Sequence, residues 1–310
     1  MRLLHGVRVA LALTAACAAT MLISQAVRAP SSVPASCPER WGGDRPGGWV
    51  PAAADLNGAG ESLVPGEPVS AMICAYPGDN AHPGGERLAG SRILTGGATA
   101  MAHDLGYLPV TTDDLDAPCT AAGGAMTNYL IRFAYPRGDA LWVGSAEEVN
   151  ACVTTTNGTV GSRSYVGRDI TAAYRTGTWN PVRPDDPCHG STGRRGQNER
   201  MVPGEPVSVL VCGQASHDGR SPRLEHGGQT AEALAATLNA LDSRPSGDVC
   251  RGSEGVQGVV DLRLLFGYPD GPPAEVRVSP ACDPGVDNGL LQARLDKTTL
   301  DQVTRLAPPA

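Results

Sequence analysis

The chain has 310 residues, a formal charge of −7, and only 18% charged and 4% aromatic residues. The acidic balance excludes a nucleic-acid backbone as partner, because displacing counterions needs clustered Lys and Arg. Lys297 is the sole lysine and has no glycine loop before it, which excludes a Walker-type phosphate site.

In chain order, Arg2, His5 and Arg8 precede the uncharged run Val9–Val27. A basic start followed by an apolar stretch reads as a secretory signal. Small residues at Ser24 and Ala26 place cleavage after Ala26, so residues 1–26 are the expected signal peptide. The same run is long enough to span a bilayer if it stays uncut, and an uncleaved membrane anchor is the alternative. Both readings put the rest of the chain outside the cytoplasm, secreted or held at the cell surface.

An internal repeat organises the remainder of the chain. Val64-Pro65-Gly66-Glu67-Pro68-Val69-Ser70 recurs unchanged as Val202-Pro203-Gly204-Glu205-Pro206-Val207-Ser208, and each copy runs through an apolar stretch into a cysteine, Cys74 or Cys212. Phe133-Ala134-Tyr135-Pro136-Arg137-Gly138 matches Phe266-Gly267-Tyr268-Pro269-Asp270-Gly271, and each leads to Cys152 or Cys282 and then to Asn157-Gly158 or Asn288-Gly289. The expected organisation is two tandem homologous domains, residues 27–159 and 188–310. The Arg/Gly/Pro-rich segment 160–187 is the linker.

The cysteines obey the repeat. With Cys17 in the signal, they divide into Cys37, Cys74, Cys119, Cys152 and Cys188, Cys212, Cys250, Cys282. An even set in an exported chain reads as disulfides; zinc finds no Cys-x-x-Cys spacing to support it. Four cysteines per copy allow three connectivities. First-to-second and third-to-fourth are the favoured ones, since the third and fourth flank a hairpin and the first leads into the strand that ends in the second.

Within a copy, Val69–Cys74 and Val207–Cys212 read as short β-branched strands. Gly/Pro/His loops come after them, Pro77–Gly85 and Gly213–Pro222. A helix is next, with Leu234, Leu238 and Leu241 at helical spacing and Thr230 as its N-cap, or Ala98, Met101, Ala102 and Leu105 in the first copy. Strict alternation then marks a long strand, with Tyr129, Ile131, Phe133 and Tyr135 on one face and Leu262, Leu264, Phe266 and Tyr268 in the second copy. Tyr-Pro-x-Gly turns each into a hairpin. A final amphipathic helix spans 291–306. The expected fold class is α+β: in each copy a small antiparallel sheet covered by a helix and stapled by two disulfides.

This order of strand, cysteine, loop, Ala/Leu helix, cysteine, strand, hairpin and cysteine resembles the Streptomyces-type subtilisin inhibitors. The resemblance implies that Cys119–Cys152 and Cys250–Cys282 match the family's second bridge. It also implies a protease-contact loop two residues past the third cysteine, at Ala121-Ala122 and Gly252-Ser253. Two features depart from the family. No cysteine lies on either helix to end the first bridge, and glycine is a poor specificity residue. The duplicated pattern as a whole also resembles cysteine-rich exported proteins of actinobacteria, which implies no activity.

No Gly-x-Ser-x-Gly elbow or His-Glu-x-x-His helix occurs, and no cofactor or metal is expected. His82 and His217 come after the same strand in both copies, but no acid or nucleophile recurs beside them, and solvated loop histidines are the plainer reading. His189-Gly190-Ser191 beside Asp185 and Asp186 lies in or next to the linker without a counterpart. Asp55–Glu61 echoes a calcium loop without its fifth-position and twelfth-position acids. Asp113, Asp114 and Asp116 read as a solvated loop. Glu67 and Glu205 orient a turn or touch a ligand, and Trp41, Trp49, Trp142 and Trp179 pack or line a glycan or peptide surface. The leading expectation is an exported, non-catalytic protein that binds an extracellular protein or a cell-wall component. A subtilisin-inhibitor-like protease inhibitor is the alternative, and an extracellular hydrolase is third.

Overall fold

A computed structural model describes residues 35–112, 122–181, 186–189, 195–196, 198–214, 221–247 and 261–309. The expected signal or anchor at 1–26, Asp113, Asp114, Asp116, Cys119, Ala121, Asp185, His217, Cys250, Gly252 and Ser253 lie outside the described residues. Among the described residues, no helix is long and apolar enough to cross a membrane.

The chain is α+β, with two antiparallel sheets and four helices among the described residues. The first sheet comprises β1 (Ser70–Asp79), β2 (Gly90–Ile93), β3 (Ala125–Ala134), β4 (Ala140–Glu148), β5 (Thr155–Thr156) and β6 (Gly161–Ser162), joined in the order β2-β1-β3-β4-β5-β6. Helix α1 (Ala98–Gly106) lies between β2 and β3 in the chain, and α2 (Gly167–Thr176) comes after β6. The second sheet comprises β7 (Ser208–Cys212), β8 (Arg223–Gly227), β9 (Ser243–Pro245), β10 (Leu262–Gly267), β11 (Ala274–Val278), β12 (Val286–Asp287) and β13 (Leu291–Ala293). Its order is β8-β7-β10-β11-β12-β13-β9, with α3 (Gly228–Asn239) after β8 and α4 (Lys297–Leu306) last. Apart from β9, the two sheets share one strand order, and each has one helix after its second strand and one at its end.

Alternation along the long strands sets the cores. Tyr129, Ile131 and Phe133 of β3 join Ile73, Leu141 and Val143 beneath Met101 and Leu105 of α1 and Ile170 and Ala173 of α2. Leu262, Leu264 and Phe266 of β10 do the same with Val211, Val276, Leu234, Leu238 and Val303. Each fully buried large side chain contributes about 1.5–3 kcal/mol, so these interleaved rows are the main stabilising term.

Several expectations are corrected. The segment 160–187 is not an aperiodic linker, because it holds β6 and α2. Ile170, Ala173 and Tyr174 lie on one helical face against the first core, a short stripe set among arginines. The last helix begins at Lys297 rather than at 291, since Leu291–Ala293 pairs as a strand and Asp296 caps the helix by accepting from Thr299 N. Helix α3 starts at Gly228 with Gly227 at the N-cap, so Thr230 lies inside it. Strand β1 runs on to Asp79, five residues past Cys74. The short strands β2 and β8 have no counterpart among the expected elements, because GSRI and RLEHG carry no buried alternation.

The two sequence motifs that recur are joined by one contact. Tyr135 donates its hydroxyl hydrogen to the Pro65 carbonyl at 2.8 Å, and Tyr268 donates to the Pro203 carbonyl at 2.5 Å. Burial raises both phenol pKa values, to about 12. Gly66 and Gly204, at φ +67° and +63°, lie against the rings of those tyrosines, a left-handed turn that favours glycine. Val64, Val202, Pro68 and Pro206 are buried, whereas Glu67 and Glu205 are exposed. The turn is therefore shaped by its apolar residues and the tyrosine, and the glutamates face solvent.

The Asn-Gly pairs form a second recurring clip. Asn157 Nδ2 donates to the carbonyls of Ala59, Ser62 and Leu63 at 2.9, 3.0 and 3.3 Å, and its Oδ1 accepts from Thr159 N and Val160 N. Asn288 Nδ2 donates to Arg200 and Met201 carbonyls at 3.2 and 3.1 Å, and its Oδ1 accepts from Leu290 N and Leu291 N. In each case a tight turn is bonded to the segment that leads into Val-Pro-Gly-Glu-Pro-Val.

The opposite faces of the two sheets differ. Behind the first, Cys74, Tyr76, Leu130 and Trp142 are covered by Trp41, Trp49 and Cys37. Tyr76 donates to the Pro38 carbonyl at 2.8 Å, and Trp41 meets Trp49 edge-on at 5.2 Å. Behind the second, the apolar cluster among the described residues is smaller: Cys188, Cys212 and Leu265, with Leu210 partly buried. The pair Arg263–Glu275, at 2.6 Å, lies beside it.

Disulfides Cys37–Cys74 and Cys188–Cys212 are present. Cys152 and Cys282 are also disulfide-bonded; the pairing expected with Cys119 and Cys250 falls outside the described residues.

Candidate functional site

Most residues singled out for chemistry have a local structural partner. Trp41 and Trp142 are buried in the back core, and Trp179 donates its ring N–H to Asp104 at 2.6 Å, so these three indoles pack rather than line a surface. His226 Nε2 meets the Leu306 carbonyl at 2.9 Å, which ties β8 to the end of α4. His189 Nδ1 lies 3.1 Å from Asp186, whose carboxylate also accepts from Cys188 N and Arg223. Those N–H bonds hold the Asp186 carboxyl below its ordinary value, the Cys188 amide foremost. The group therefore fixes the turn at Cys188, and Ser191 lies outside the described residues. His82 is exposed on the turn after β1. The sole lysine, Lys297, pairs with Asp301 one turn along α4 at 2.6 Å. Among the described residues, no cluster of three or more His, Cys, Asp and Glu could hold a metal ion.

One polar cluster serves an exposed segment instead. Ala122, at the end of the expected contact loop, is exposed. Its carbonyl accepts from Asn80 Nδ2 at 3.0 Å and from Asn150 Nδ2 at 3.1 Å, and its N–H donates to Asn150 Oδ1 at 3.2 Å. Two residues on, Gly124 N donates to Asn80 Oδ1 at 2.7 Å, while Asn80 N donates to the Gly124 carbonyl. Two asparagine amides thus hold both polar groups of one exposed peptide residue.

Glu148 orients both amides. It ends β4, is 6% exposed, and accepts from Asn80 Nδ2 at 3.1 Å, Asn150 Nδ2 at 2.8 Å, Asn150 N at 2.7 Å and Cys152 N at 3.1 Å. Burial pushes its pKa up, but these four N–H donors outweigh burial, and the carboxyl lies below its ordinary value. The turn so held contains Ala151 at φ +52°, the one non-glycine residue with positive φ among those described. That conformation costs of order 1 kcal/mol and is maintained by the bonds around it. Val149, 55% exposed, stands next to Gly124 on the same surface.

The pH consequence has a definite sign. Because the folded pKa of Glu148 is depressed, its contribution is complete above the ordinary carboxylate value of about 4.3 and is lost as pH falls through the lowered value. The protection factors of the Asn150 and Cys152 amides, measured by NMR exchange relative to the intrinsic rate at each pH, are expected to fall as pH drops below the ordinary carboxylate value of about 4.3 and through the lowered value of Glu148. Glu148→Gln is expected to show that loss of protection already at neutral pH. Unchanged protection in both conditions would remove Glu148 as the anchor.

In the sequence Ala122 is singled out only by what the resemblance implies, and Asn80, Glu148 and Asn150 are not singled out at all. The available signal was two asparagines and a glutamate close to the second and fourth cysteines of the first copy. Four residues before Cys282 stands Val278, where Glu148 precedes Cys152, so the repeat held no second instance to draw attention to them. No protein-family model matches this chain, and neither a curated protein nor a solved structure matches it.

Proposed function

We propose that this chain is an exported, non-catalytic binding protein of two homologous disulfide-stapled domains, which presents the backbone around Ala122 to an extracellular protein or a cell-wall component. The observation that carries this reading is the arrangement around the buried carboxylate that ends β4. Glu148 accepts from the amides of Asn80 and Asn150, and these in turn hold an exposed peptide. A backbone segment already held, as Ala122 and Gly124 are, loses less entropy on binding than a free one. The shared strand order and the paired tyrosine and asparagine clips support duplication. Disulfides support an oxidising, extracellular setting.

A second reading names the partner as a subtilisin-like protease. It is favoured by the position of the anchored residue, since Ala121-Ala122 is the bond that the inhibitor resemblance makes the contact bond. Titration of a subtilisin-like protease with the purified protein tests it. The inhibitor reading expects tight stoichiometric inhibition with slow cleavage after Ala121, weakened at least tenfold in Glu148→Ala. Cleavage at ordinary substrate rates rejects it. Turnover on a peptidase, esterase or glycosidase panel, abolished by a single substitution, would overturn the non-catalytic reading itself.

A further inference from the structure

Arg195, seven residues after Cys188, has a side chain only 9% exposed. Its guanidinium carbon lies 3.6 Å from the centroid of Tyr107, the residue that ends α1, and 3.9 Å from that of Tyr268, just past β10. One planar cation thus lies between a ring attached to the first sheet's helix and a ring attached to the second sheet's hairpin. Its Nη1 donates to the Asp270 carbonyl at 2.5 Å, and its Nη2 is 3.9 Å from the Asp270 carboxylate. That carboxylate also accepts from the Tyr107 hydroxyl at 3.2 Å and lies 3.4 Å from His103 Nδ1. The neighbouring backbone is tied down as well: Gly196 N donates to the Tyr107 carbonyl at 2.7 Å, and Asn198 Nδ2 donates to the Val110 carbonyl at 3.1 Å.

Two details set this apart from a chance surface contact. At Gly271, φ is +73°, and a Cβ would stand 2.3 Å from Tyr107 and 2.8 Å from Arg195, so the hairpin tip approaches closely only because it is glycine. The corresponding tip of the first sheet, Tyr135-Pro136-Arg137-Gly138, carries arginine where the second carries Asp270. An arginine there would repel Arg195. The two otherwise matching hairpins differ in charge at the residue that meets the guanidinium.

We propose that Arg195 is an interlock that docks the α1 end of the first sheet unit on the β10–β11 hairpin of the second, so that the two sheets move as one body. The partner surface is thus within the chain. Arginine suits the role because its flat fork stacks on both faces while its edge donates; the compact ammonium of lysine has no two flat faces to place between the rings and cannot keep a fixed donating edge at the same time.

The test is 15N relaxation on the exported protein with its disulfides oxidised. Amides of β3 and β10 are expected to share one rotational correlation time. Arg195→Ala is expected to split this into two distinct, shorter times, with buried amide shifts inside each sheet unchanged. Arg195→Lys is expected to behave like Arg195→Ala, and Tyr268→Phe, which keeps the ring, to behave like the parent. A single undivided time in Arg195→Ala overturns the proposal. If that variant does not fold, Asp270→Arg on the half-exposed hairpin tip decides the same question, and a shared time there overturns it equally.

Discussion

Asn157→Ala is expected to lower the unfolding free energy by about 3 kcal/mol or more. The side chain is fully buried and bonds three carbonyls and two amide N–H groups. Removing it returns no water to these groups. Each buried polar group left unpaired costs about 1–3 kcal/mol, which far exceeds the net gain of a hydrogen bond made in competition with water. Asn157→Asp is expected to be worse, because it replaces the donor amide with a buried charge facing three carbonyl oxygens. Asn288→Ala is expected to cost less than Asn157→Ala, because Asn288 retains 5% exposure where Asn157 has none, so water reaches part of what it leaves behind. Urea denaturation monitored by far-UV circular dichroism measures all three. A loss below about 1 kcal/mol in Asn157→Ala, the net value of a single ordinary hydrogen bond, would refute the reading of this residue as a clip.

Removing the Cys37–Cys74 bridge by paired Ala substitution is expected to cost about 4 kcal/mol from chain entropy for its separation of 37 residues. A further loss comes from packing, since Cys74 is fully buried against Trp142 and Tyr76. The bridge also holds the segment that carries Trp41 and Trp49 over the back of the first sheet. Its loss is therefore expected to expose that face and raise binding of a hydrophobic dye. The Cys188–Cys212 bridge, with a separation of 24, is expected to contribute slightly less, about 3.5 kcal/mol, and to release no aromatic cover. Equal dye binding by the two bridge-deleted variants would contradict this asymmetry.

The fold class and the main strands were legible because their signals are local. Strict alternation in Tyr129–Tyr135 and Leu262–Tyr268 places one row inward, and the structure buries those rows. The bridges to Cys74 and Cys212 came from cysteine order in a duplicated pattern. The missed elements depend on contacts distant in the chain. Helix α2 is short and arginine-rich, and its stripe of Ile170 and Ala173 means nothing until the first sheet is present to receive it. Edge strands β2 and β8 have no buried row of their own and pair because β1 and β7 offer free edges. Asn157 and Asn288 stand out in the sequence only as Asn-Gly landmarks of the recurring pattern, while their amides reach carbonyls 98 and 88 residues earlier in the chain. The cluster at Ala122 is legible only after Asn80 and Asn150, 70 residues apart, come within reach of Glu148. Arg195 lies in a polar stretch, and its two tyrosines, Tyr107 and Tyr268, are far apart in the chain and belong to segments attached to different sheets.

The placement of tryptophan has an optical consequence. All four, Trp41, Trp49, Trp142 and Trp179, precede Cys188, and the three that are most buried belong to the first sheet's two cores. Indole emission therefore reports on one sheet and is silent on the other, while the amide dichroism of both contributes to a single curve. Coincidence of the two signals during melting measures how strongly the emitting half is coupled to the dark one.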